Sequence, residues 1–128
     1  MGVISCAPNQ GEKPMGSDTS RHDPALVALA DYESKRAATD RALKAYEDAA
    51  ALGDFRAAED QFGNANTAAF LARDAAFKTS PTTTAGALAL LRIVGPAISE
   101  LGHDPDHAPT LAAAILASAD AIEKEAVR

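Results

Sequence analysis

The sequence contains no tryptophan, its aromatic share is 5%, and it has a single cysteine in 128 residues. Each shortage excludes something. Without large rings, a core has little area to bury per residue, and at roughly 25 cal/mol per Å² such a core is thin. Cys6 has no second cysteine to pair with, so no internal disulfide can compensate. Basic residues are also scarce: 12 Lys and Arg stand against 18 Asp and Glu, for a formal net charge of −6. Phosphate neutralisation needs clustered cations, so direct nucleic-acid binding is disfavoured, as is an anionic membrane surface. No apolar run has the length of a membrane span. These features predict a cytoplasmic protein with no membrane role.

What fills the gap is alanine, at about a quarter of the chain. Alanine loses no side-chain entropy on ordering and is the best helix former. An alanine-rich core gains stability by very close helix approach or by burial against a second copy.

Residues 1–22 are rich in Pro, Gly, Ser, Asn and charge, and are read as a disordered tail. Val3-Ile4-Ser5-Cys6 has the local look of a lipid-attachment site, and Met1-Gly2 that of a myristoylation start. The flanking residues fit neither, so no lipid is expected. Residues 23–128 are read as a single all-α domain, with no β alternation and no internal repeat.

Asp23-Pro24 is an N-cap followed by a first-turn proline, and opens a helix that runs to Leu52 before Gly53. Leu29, Tyr32, Leu43, Tyr46 and Ala50 form its apolar stripe. Asp31 with Lys35 and Asp40 with Lys44 are acid-before-base pairs four residues apart. Asp54 can cap the next helix at once, which makes the two helices an antiparallel hairpin, Pro24–Lys78. Its second arm carries a heptad-like seam, Phe55, Ala58, Phe62, Ala65, Ala69, Ala72 and Ala76, with Phe70 and Phe77 beside it. Gly63 marks a close crossing or a bend there, and Asn64 and Asn66 offer polar groups for a helix crossing.

Thr79-Ser80-Pro81-Thr82 breaks and recaps the chain. Leu88, Leu91, Val94, Ile98 and Leu101, widened by Ala87 and Leu90, then make the most apolar stripe, and this helix is expected to be the most buried. Gly95-Pro96 is expected to kink or split it. A fourth helix follows from about Pro109 or Thr110, with Leu111, Ile115, Ala119 and Ile122 on one face. The whole reads as a long hairpin with two shorter C-terminal helices packed on it, bundle-like.

Candidate chemistry is sparse. His103, Asp106 and His107, with Asp104 between them, are the only clustered metal-capable side chains. Zinc sites usually draw ligands from two elements, and Pro105 interrupts a continuous helix, so turn and cap chemistry is the simpler reading and no metal or cofactor is expected. Ser80 and Thr82-Thr83-Thr84 lack a neighbouring base or a glycine–lysine phosphate loop, and read as caps. Glu47-Asp48 and Glu59-Asp60 are adjacent and diverge around their helices. No catalytic residue is assigned, and the chain is not read as an enzyme.

The run Pro81-Thr82-Thr83-Thr84-Ala85-Gly86-Ala87-Leu88-Ala89-Leu90-Leu91-Arg92 resembles a Pro-(Ser/Thr)-Thr-x-x-Gly-x-x-Ala-Leu-Leu-Arg segment of small alphaproteobacterial proteins, including those of rhizobia and their prophages. Those proteins share the layout of polar hairpin, Thr-Gly-Leu segment and short last helix; Ile93-Val94 stands where they often carry an aromatic. The resemblance implies a helical fold in a bacterial cytoplasm and no particular activity. The leading expectation is thus a non-enzymatic interaction or scaffold module, a homo-oligomer or one arm of a protein partnership. The alternatives are a small metal- or ligand-binding protein using the 103–107 loop, and an acidic regulator of a nucleic-acid-binding partner.

Overall fold

A computed structural model describes residues 22–53 and 55–127. The tail reading, Cys6 and the Asp54 cap lie outside those residues. Four helices follow one another: α1 (Pro24–Ala51), α2 (Arg56–Phe77), α3 (Thr84–Leu101) and α4 (Ala108–Ala126). Strands are absent among the described residues, and the all-α hairpin with two C-terminal helices is the architecture found.

The punctuation expected at the two ends of α1 is found. Asp23 caps α1, accepting from the Ala25 amide at 2.9 Å, with Pro24 in the first helical position. Gly53 follows the α1 C-cap with φ at 84°, a left-handed backbone that glycine adopts at no steric cost. The N-cap of α2 is Phe55, whose side chain accepts no capping bond. Pro96 lies inside α3, which continues unbroken to Leu101 rather than splitting. Its ring falls in an exposed stretch with Gly95 before it. Gly63 has open space where a Cβ would be, so it marks no close crossing, and α2 passes through it uninterrupted. Asn64 is exposed and Asn66 half-buried.

α1 packs chiefly on α2 and α3 chiefly on α4, and the two pairs meet at one end of the hairpin. The shared core there joins Leu29 of α1, Ala76 and Phe77 of α2, Leu90, Val94 and Ala97 of α3, and Leu111 and Ala114 of α4. Along the hairpin beyond it, no described residue between Leu29 and Ala69 is buried. That distal stretch is held by half-buried contacts. Tyr46 stacks on Phe62 at 6.2 Å and meets Phe55 edge-on at 6.1 Å. Thr39 Oγ1 lies 3.0 Å from the Ala65 carbonyl of the other arm. The Asp31–Lys35 pair forms at 2.8 Å, but Lys44 turns to Asp48 at 3.2 Å instead of to Asp40. Both acids are one turn away from Lys44, on opposite sides of it, so either pairing is within reach.

α3 supplies five buried residues, Gly86, Ala87, Leu90, Val94 and Ala97, more than any other helix. Its expected stripe is nonetheless rotated. Leu88 and Ile98 are exposed and Leu91 and Leu101 half-buried, because the smaller alanines take the positions where helix axes come closest.

Candidate functional site

Residues 81–86 form a structural latch. Asp23 is fully buried, and its carboxylate accepts from four donors on two chain segments. Oδ1 takes the amides of Ala25 at 2.9 Å and Thr82 at 3.2 Å. Oδ2 takes the Thr83 amide at 3.0 Å and the Thr83 hydroxyl at 2.5 Å. Thr83 Oγ1 in turn accepts from the Gly86 amide at 3.0 Å, capping α3. A single carboxylate thus caps α1 directly and α3 through Thr83, with its charge near two helix N-termini. Gly86 is dictated by this closeness, since a Cβ there would overlap the Asp23 carboxylate. Glu125, near the end of α4, accepts from the Thr84 amide at 3.0 Å and closes the ring. Of the threonines Thr83 is the cap, Thr82 and Thr84 contributing their backbone amides, and the pattern Pro-Thr-Thr-x-x-Gly gains a mechanical meaning: it receives the Asp-Pro start of the hairpin, 59 and 60 residues earlier in the chain.

Between α3 and α4 the organiser is Asp104. Its Oδ1 accepts from the Asp106 amide at 2.9 Å, and its Oδ2 lies 2.9 Å from His107 Nδ1. Its backbone carbonyl accepts from the His107 and Ala108 amides at 3.0 and 2.9 Å. The amide of Asp106 and the side chain of His107 hold the Asp104 carboxyl below its usual value of 3.8. His107 is thereby drawn to Asp104, while His103 and Asp106 are exposed and do not join it. Among the described residues, no group of three or more His, Cys, Asp or Glu side chains is placed to hold a metal ion.

Beside this loop runs a groove of about 580 Å³, walled by Phe70, Leu71, Phe77 and Leu101, with His107 and Thr110 at one edge. Arg73 lies across it, 5.1 Å from the Phe70 ring centre and 5.8 Å from that of Phe77, and reaches Glu100 at 3.3 Å. The sequence gives no signal for this groove, because its walls come from α2, from the end of α3 and from the start of α4.

The largest unsatisfied feature is apolar. Against the sequence reading that no apolar run has the length of a membrane span, α3 is long and apolar enough to cross one by length and composition, and 28% of its residues are buried. Leu88 is 46% exposed and Ile98 44%, and Gly95 between them has nothing within 4 Å of its Cβ position. Arg92 and Glu100 are the only charges on the helix. Ile115 and Leu116 of α4, the helix against which α3 mainly packs, are exposed as well.

Comparison with protein-family models, with curated proteins and with solved structures gave no match to the chain.

Proposed function

We propose that the chain is a non-enzymatic helical interaction module that self-associates. The observation that carries this is α3, the most apolar helix, on which Leu88 and Ile98 stay exposed. Uncovered apolar area of this kind marks an interaction surface. A bilayer is a poor cover for it, because spanning would pull Leu90 and Val94 out of the shared core and break the Thr83 cap. The acidic balance, −6 over the chain, adds repulsion from anionic lipid. A second copy needs no charge complementarity to reach a surface almost free of charge. Native mass spectrometry and light scattering across a concentration series test the reading. A dimer or higher oligomer that grows with concentration is expected, and a monomer at every concentration overturns it.

The groove beside His107 supports a second reading, small-ligand binding next to the 103–107 loop. Its volume lies within the range of ligand pockets. Native mass spectra taken without chelator would then carry a mass increment that disappears when His103 and His107 are both replaced by alanine.

A further inference from the structure

We infer that the groove beside the 103–107 loop takes a small apolar monocation, an aromatic or alkyl amine whose body lies on Phe70, Leu71 and Leu101 and whose ammonium meets Asp106; this rests on the small-ligand reading given above. The walls call for an apolar body. Phe70 is 49% exposed and Leu71 67%, although both line a cavity of about 580 Å³. A ligand seated there removes apolar area that folding leaves in water.

The sign of the charge follows from how the ionised groups around the groove are paired. Lys78 is held by Asp74 at 2.9 Å, and Arg73 by Glu100 at 3.3 Å. His107 is turned to Asp104 at 2.9 Å. Each basic side chain thus stands against a carboxylate. Asp106 is the surplus. Its backbone amide donates to Asp104, while among the described residues no cation meets its exposed carboxylate. An anionic ligand would meet that uncompensated charge, with the net −6 of the chain behind it. A cation meets a complement, and one surplus carboxylate matches one positive charge.

The groove already accommodates a cation of the chain's own. The Arg73 guanidinium lies 5.1 Å from the ring centre of Phe70 and 5.8 Å from that of Phe77, on a side chain only 14% exposed. Ring faces and one carboxylate are therefore enough to hold a positive group against these apolar walls.

The test uses three probes of one shape: naphthylmethylamine, which is charged at neutral pH, the uncharged naphthalenemethanol, and the anion naphthoate. Each is titrated into the isotope-labelled full chain and followed by amide shifts. The amine is expected to bind with roughly millimolar affinity, its shifts gathered on Leu71, Leu101 and Thr110. It should bind about fivefold tighter than the alcohol and about tenfold or more tighter than naphthoate. Asp106→Asn keeps the backbone bond to Asp104 and is expected to bring the amine down to the alcohol, leaving the alcohol as it was. Leu71→Ser alters an exposed wall and should weaken all three probes. If the alcohol or naphthoate binds as tightly as the amine, or Asp106→Asn leaves the amine unaffected, the cation preference is wrong while the small-ligand reading stands. If no probe shifts the groove amides at several millimolar, both fall.

Discussion

The two ends of the hairpin are built from the same residues in different ways. At the base, Ala25, Leu29, Ala69, Ala72, Ala76 and Phe77 are buried, and α3 and α4 cover them. At the far end alanine is just as common, yet none of the described residues is buried, and three aromatic rings with a threonine hydroxyl join the arms. Alanine makes a good helix at both ends; only a third and fourth helix turn it into a core. A two-helix arm has one packed face per helix, and the small side chain closes the gap without shielding it. Stability therefore belongs to the base, and the arm is expected to open at lower free energy than the molecule unfolds.

The strongest way to sharpen this contrast is to cut the latch. Asp23→Ala leaves the amides of Thr82 and Thr83 and the Thr83 hydroxyl without their acceptor inside the base. A loss of about 3–5 kcal/mol in urea unfolding is expected, a large share of a typical total. A loss below about 1 kcal/mol would show that water replaces the carboxylate and that the latch is not what joins the hairpin to α3. Gly86→Ala attacks the same contact from the other side, because the added carbon must displace Asp23. A loss of about 1–3 kcal/mol or more is expected there.

At the far end the effect should be smaller and local. Tyr46→Ala removes both ring contacts, each worth about 0.5–1.5 kcal/mol beyond buried area. Hydrogen exchange is expected to quicken in the arm, residues 36–66, while amides of α3 and α4 keep their rates. Equal acceleration throughout would mean that hairpin and base unfold as one unit, and the comparison fails.

The base also holds one defect. Ser118 is fully buried on α4, and its hydroxyl has no hydrogen-bond partner. Ser118→Ala removes that cost and substitutes the better helix former, so a gain of about 1 kcal/mol in urea unfolding is expected. A loss instead would identify an ordered water or a rotamer bonded to the preceding turn.

These particulars show what the sequence could reveal. Asp23-Pro24, Gly53 and the Thr83 cap are local chemistry, written in neighbouring residues, and all were legible. The seam of α2 was legible because its period is helical. The partner of the cap was not, since Asp23 and Thr83 are 60 residues apart and nothing in either segment points to the other. The rotation of α3 was hidden for a related reason: large side chains dominate a periodicity reading, so Leu88 and Ile98 were placed in the stripe, whereas Gly86 and Ala97 are buried because close helix approach favours small residues. Within 103–107 the residue types and the turn-and-cap chemistry were visible, but not that Asp104 organises the loop and draws in His107.

Asp104 sets the smallest effect. Its carboxyl is held below 3.8 by the Asp106 amide first and by His107 next. A depressed acid contributes stability that is present above its unfolded value and lost as pH falls through the folded one. The contribution should therefore be constant from neutral pH down to about pH 5 and fade below about pH 4. Asp104→Ala should melt slightly below the parent at neutral pH, and the two curves should converge in acid. The carboxylate is exposed, so the gap is that of a surface loop and not of a core bond. A gap that persists unchanged in strong acid would mean that the backbone of the turn, through its carbonyl bonds to His107 and Ala108, holds the loop, and that the carboxylate is incidental.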